Sequence, residues 1–104
     1  MSVNKTLNML GLCAKARKMV TGEFSCEKAI KSKEAKLLVV AKDASDNTKK
    51  SFADSCAFYN VEYRVFSDKE SLSKSIGKIN RASIAITDEG FANQIITLIE
   101  KTED

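Results

Sequence analysis

The chain has 104 residues, 43% of them hydrophobic and 30% charged, with no histidine and no proline. That length makes one domain with one core, residues 1–104, burying roughly two-thirds of the unfolded surface, and the composition excludes a disordered whole. The net charge of +3 divides unevenly: residues 1–50 hold 11 Lys and Arg against 5 Asp and Glu, residues 51–104 hold 6 against 9, and the basic half points either to an anionic partner or to a solvated lysine face.

In chain order, the spacing Leu7, Leu10, Cys13, Ala14 predicts a first helix over about 3–16. KMVTG reads as a short strand or a turn, and Thr21 or Gly22 then caps a second helix to about Ser32. AKLLVVAKD (35–43) is a continuous apolar run with a β-branched centre, which predicts a strand covered on both faces. ASDNT opens a third helix to about Tyr59, with Ser45 as its N-cap. VEYRVF (61–66) predicts a second clear strand, after which Ser67 caps a short helix, DKESLSKSIG, ending at Gly77. ASIAIT (82–87) is another buried strand, and Asp88 opens the last helix, EGFANQIITLIEKT. Helices alternating with strands predict an α/β protein with parallel neighbours in a sheet enclosed by helices, and right-handed crossovers narrow the topology.

No run of about 18 apolar residues is present, so no spanning helix is expected. MSVNKTLNMLGLCAKARK places its charges after its apolar part, the wrong order for a secretory signal, which predicts a soluble cytoplasmic protein without membrane contact. Cys13, Cys26 and Cys56 are odd in number, widely spaced and without histidine, and read as small buried thiols in preference to a zinc site or disulfide framework.

Without histidine, a nucleophile–base pair is left to Cys–Lys or Ser–Lys, and nothing in the sequence singles one out. Asp43 ends a buried strand, where α/β proteins place ligand groups. No G-x-x-x-x-G-K-[ST] loop accompanies it, so the favoured role is a cap on the turn into the third helix. The expectation is no catalysis and no cofactor.

Two surfaces invite a ligand. At 100° per residue along the second helix, Cys26, Ala29 and Ile30 share one side, while Phe24, Lys28 and Lys31 fall on the other with Glu27 near them. An aromatic ring between lysines suits base stacking with phosphate contact, and the helix start at Gly22–Phe24 adds free amides. Alternatively, Phe24 folds over the Arg17–Val20 turn and completes a satellite cluster. The second surface is GKINRAS (77–83). There Lys78 meets phosphate, Arg81 phosphate or guanine, Asn80 a base edge and Ile79 an exposed base. The plain alternative is a polar loop with one incidental isoleucine.

GEFSCEKAIKSKEAKLLVVAKDAS, NVEYRVFSDKESLSKSIGK and ASIAITDEGFA together resemble the ribosomal L-seven-A-e/L-thirty-e superfamily of kink-turn RNA binders, in particular its bacterial YlxQ-type, ribosomal-protein-like branch. The resemblance runs from Leu10 to about Ile96. It implies a three-layer α-β-α sandwich with a four-stranded mixed sheet, no enzymatic activity, and recognition of kinked RNA. Gly22 and Lys28 match the family's glycine and lysine, and Glu23, Phe24, Ser25 and Lys31 beside them complete the RNA-binding residues expected at the second helix. Ser45 matches a polar position near RNA, Lys69 a backbone-contacting lysine, and Ile79–Ala82 the loop whose apolar residue packs on a flipped-out base; Lys78 precedes that loop. Kink-turn binders of the archaeal and eukaryotic type carry Asn-Glu where this chain has Phe24-Ser25, which implies either stacking on a different RNA element or weak binding of standard kink-turns. The implied partners are RNA, ribosomal RNA among them, and the ribosome or translation factors, for a monomeric protein. The competing reading is a protein-interaction module in ribosome or translation-factor assembly that uses the acidic second half.

Overall fold

The two central strands are buried at every position, and their alternation decides the architecture. In a computed structural model that describes residues 2–102, the elements follow as α1 (Ser2–Lys15), β1 (Met19–Thr21), α2 (Glu23–Lys31), β2 (Leu37–Val40), α3 (Asp46–Tyr59), β3 (Glu62–Val65), α4 (Lys69–Ser75), β4 (Ser83–Ile86) and α5 (Glu89–Thr102). Successive side chains of a strand point to opposite faces. Leu37, Val39, Ile84 and Ile86 therefore pack with Leu10, Cys13, Leu72, Ile95 and Ile99, from α1, α4 and α5. Leu38, Val40 and Ala85 pack on the other face with Cys26, Ile30, Phe52 and Cys56, from α2 and α3. The three layers follow directly.

The sheet order is β1-β4-β2-β3. β2 and β3 are parallel, whereas β4 runs antiparallel to both β1 and β2. The expectation of parallel neighbours thus holds for one pair, and the mixed sheet is the one implied by the family resemblance. Helix length gives the reason. At 1.5 Å per residue α3 is about 21 Å long and returns the chain to the start of a parallel strand, whereas α4 is about 10 Å and leaves it near where β3 ended. The last strand then runs back down between two strands already in place.

Local signals hold with small shifts. Ser45 caps α3, its Oγ accepting from the Thr48 amide at 3.1 Å, and Asp88 accepts from the Phe91 amide at 2.9 Å. Two assignments change. Ser67 sits at φ 61° and does not cap α4; Asp68 does, accepting from Ser71. Asp43 belongs to the same helix end, accepting from the Lys69 amide at 2.9 Å instead of capping α3. A carboxylate suits the positive end of a helix dipole, and α4 starts beside Asp43 because Lys42 N–H donates to the Ser67 carbonyl.

Candidate functional site

The end of the sheet where β1, β2 and β3 finish and β4 begins gathers four chain segments. The first is the β1–α2 turn. Gly22 adopts φ 92° and ψ 155°, a conformation open to glycine and costly for other residues. Its amide donates to Ser83 O at 3.1 Å, which ties the turn to the start of β4. Lacking a side chain, Gly22 offers α2 no cap hydrogen bond, so the amides of the first helical turn remain available to an anion.

The loop 76–82 is the second segment, and Arg81 holds it. Its amide donates to Ser73 Oγ at 2.8 Å, and that hydroxyl donates back to Arg81 O. The Arg81 guanidinium donates from Nε to Thr21 Oγ1 at 3.1 Å and from Nη1 to Ile79 O at 2.8 Å. Gly77 at φ 73° and Asn80 at φ 56° turn the chain outward between these anchors, leaving Ile79 78% exposed at the tip. Arg81 was expected to point a free fork at phosphate or guanine. Two of its five donors are instead spent inside the protein, because Thr21 and the Ile79 carbonyl lie within reach. Ser73, a buried serine between Leu72 and Lys74, gave no separate signal in the sequence.

The starts of α3 and α4 complete the set. Gly22, Glu23, Ser45, Lys69, Asn80 and Ala82 line one cleft of about 250 Å³, together with Asp43, Ala44, Thr48 and Ser83. An adjoining groove of about 630 Å³ shares Asp43, Lys69 and Asn80 and adds Lys78 and Ile79. The start of the second helix and the 77–83 loop, the two surfaces singled out in the sequence, therefore meet through Gly22, Glu23, Asn80 and Ala82, without Phe24 or Lys28. Asp43, Ala44, Thr48 and Ser83 were not among the expected site residues; they enter through their place at strand and helix ends.

Phe24, Lys28 and Lys31 form a separate shallow patch further along α2, with Glu27 and Ser32. The Phe24 ring is 82% exposed and joins neither core cluster, so the satellite-cluster alternative fails. Glu27 turns toward α3, accepting from Ser55 Oγ at 2.6 Å, and lies 3.9 Å from Lys31 Nζ. Lys28 makes no ion pair among the described residues. Ser25 is exposed on the first turn of α2 but lines none of these depressions.

The three cysteines are buried free thiols, as expected from their spacing. Burial pushes Cys13 and Cys26 up to about 11 and Cys56 to about 12, which leaves them as poor nucleophiles near neutral pH. No helix among the described residues is long and apolar enough to cross a membrane.

Residues 4–96 match the family described as ribosomal protein L7Ae/L30e/S12e/Gadd45. The chain is 44% identical over 92 residues to the RNA-binding protein YlxQ of Bacillus subtilis (strain 168), covering 88% of this chain and 92% of that protein. It is 40% identical over 97 residues to the RNA-binding protein YlxQ of Enterococcus faecium, covering 92% of each. A solved structure from Bacillus halodurans C, of a protein with unknown function, superposes with a TM-score of 0.90 at 35% identity, covering 92% of this chain and 97% of that one. The Giardia lamblia 15.5kD RNA binding protein shares the fold, with a TM-score of 0.80 at 18% identity over 99% of this chain and 89% of that one.

Proposed function

The chain belongs to the ribosomal protein L7Ae/L30e/S12e/Gadd45 family, and on that premise we propose that it is a non-catalytic RNA-binding protein that takes up structured, kink-turn-like RNA at the end of the sheet where β1, β2 and β3 finish. The observation that carries this reading is the meeting of Gly22, Glu23, Ser45, Lys69, Asn80 and Ala82 in one cleft. Exposed Phe24 and Ile79 stand outside that cleft, each beside lysines. The mixture of free helix amides, mobile cations and bare apolar side chains suits a nucleic acid with unstacked bases.

In this reading the amides of Glu23–Ser25 approach a phosphate, and Lys28, Lys31, Lys69 and Lys78 neutralise the flanking backbone. Ser45 and Asn80 hydrogen-bond to sugar or base edges. Phe24 stacks on one base and Ile79 packs on a flipped-out one, with Ala82 giving clearance beneath. Arg81 positions the Ile79 loop. Phe24-Ser25 replaces a hydrogen-bonding pair by a stacking platform, so recognition rests more on shape than on purine edges. The setting that fits is the ribosome or translation apparatus of the cytoplasm, with the protein acting as a monomer.

The test is an anisotropy titration against a kink-turn, a kink-turn with its internal loop closed, and a plain duplex, at several salt concentrations. The kink-turn should bind most tightly. Lys28→Ala should weaken all three RNAs similarly and lower the salt slope by a little under about one unit, as for one lost phosphate contact. Equal binding of all three rejects kink-turn reading. Failure to bind any of them at low salt rejects RNA in favour of a protein-interaction role.

A further inference from the structure

On the outer edge of the sheet, α1, β1 and the end of α4 enclose a groove of about 1060 Å³ that meets the proposed RNA site only at Lys74 and Lys78. Its floor is apolar, from Leu7, Leu12, Ala14, Met19, Val20 and Ile76, and Leu12 is 55% exposed there. Its rim carries Lys15, Arg17, Lys74 and Lys78. No carboxylate lines it, and none of the four cations is ion-paired among the described residues.

The groove follows an open strand edge. β1 pairs on one side only, with β4. The Thr87 amide donates to Lys18 O and the Gly22 amide to Ser83 O, and the register sets Val20 opposite Ala85. Residues 18, 20 and 22 therefore bond to β4, and the backbone N–H and C=O of Met19 and Thr21 face away from it, with no strand beyond them. Met19 packs with the core on one face of the sheet and Val20 with the core on the other, yet both line the groove, as they must if it runs along the edge.

Gly11 keeps the cleft between α1 and α4 narrow. A Cβ there would stand 2.8 Å from Ser75 O, so the two helices approach closely only because it is glycine. Arg17 reaches the rim through a left-handed backbone, φ 59°, that a glycine would adopt without strain. A non-glycine residue at that position keeps a cation on the rim.

We propose that this groove seats an extended, acidic segment of a partner protein, which adds a strand beside β1, sets apolar side chains against Leu12 and Ile76, and places its carboxylates on the rim cations. Open backbone groups and an apolar floor suit a peptide. RNA has no use for a strand edge, and no aromatic side chain lines the groove to stack a base.

The probes are fluorescein-labelled peptides alternating Leu, Val or Phe with Asp or Glu, the same peptides with Lys at the charged positions, and a plain RNA duplex. Anisotropy and amide exchange are measured on the full chain. The acidic peptides should bind at least about tenfold more tightly than the lysine peptides, and exchange of the Met19 and Thr21 amides should slow. Leu12→Asp should weaken the acidic peptides about tenfold or more while the exposed site keeps the fold intact. Arg17→Gly should weaken them severalfold, with an unchanged or higher Tm. Absence of binding, equal binding of acidic and lysine peptides, or unaltered exchange at Met19 and Thr21 overturns the proposal. So does duplex RNA that alone perturbs the groove. RNA affinity of the cleft around Gly22 and Asn80 should be unchanged in Leu12→Asp, which separates failure here from failure of the RNA reading.

Discussion

A phenylalanine 82% exposed at the head of a helix gives up most of the roughly 1.5–3 kcal/mol that full burial of such a ring provides. Truncating Phe24 should therefore cost little stability. Phe24→Ala is expected to lower Tm by no more than a degree or two, while RNA affinity falls by about 1–3 kcal/mol, the worth of a base–aromatic stack. Melting and titration of one preparation check both, and a mutant that binds as well as wild type removes Phe24 from the interface. Arg81 presents the opposite case. Its guanidinium ties Thr21 to the Ile79 carbonyl, and lysine lacks the planar fork to reach both. Arg81→Lys should cost about 1–2 kcal/mol of stability and weaken all RNAs alike by loosening the Ile79 tip. Relaxed preference among RNAs at unchanged Tm would show Arg81 reading a base instead.

At the scale of elements, the site is built from ends: the start of α2, the start of α3, the start of α4 and the loop into β4. Ser45 has two roles, because the hydroxyl that caps α3 also lines the cleft. Ser45→Ala would lose a cap worth about 1 kcal/mol and so confuse folding with binding. Ser45→Asp separates them. Aspartate caps as well as serine and suits the helix dipole, so Tm should hold. The added negative charge facing RNA should cut affinity about tenfold at low salt and less at high salt. Thermal melts and titrations at two salt concentrations check it, and unchanged affinity would place Ser45 outside the interface. Gly22 belongs to the same scale, since its φ of 92° lets the chain leave β1 and enter α2 with uncapped amides.

For the whole molecule, the two cores lie on opposite faces of one sheet and both contain thiols: Cys13 on one side, Cys26 and Cys56 on the other. Burial raises them from an ordinary value of about 9 to about 11, 11 and 12. A raised folded-state value means that the native protein holds its protons where the unfolded chain has lost them. The stabilisation is complete below pH 9 and is lost as pH rises through about 11 to 12. Burial raises the Tyr63 phenol as well, which acts in the same direction. Urea unfolding across pH 8 to 11 should show stability falling once pH passes about 9. Thiol reagents should label none of the three cysteines in the native protein at pH 8 and all three in urea. A flat stability profile would contradict burial as the cause.

Sequence alone determined what rests on local chemistry. The continuous apolar run of β2, the cap of Ser45, the start of α2 at Thr21 or Gly22 and the outward side of α2 are all legible in a few consecutive residues, and the structure keeps them, with Gly22 as the N-cap. Phe24 was placed on the outer side of its helix by periodicity alone, although periodicity could not say whether the ring folded back; its exposure came only with the packed chain. Tertiary structure decided the rest. The antiparallel entry of β4, the transfer of Asp43 from one helix to another, the inward turn of Arg81 and the groove along β1 each depend on residues far apart in the chain, as in the pairs Asp43–Lys69, Arg81–Thr21 and Met19–Ile86. Such pairings follow from which strand lies beside which, and from helix lengths that return the chain or leave it short. Side-chain periodicity reports the first neighbour shell of each element; the identity of the neighbour is fixed by the sheet.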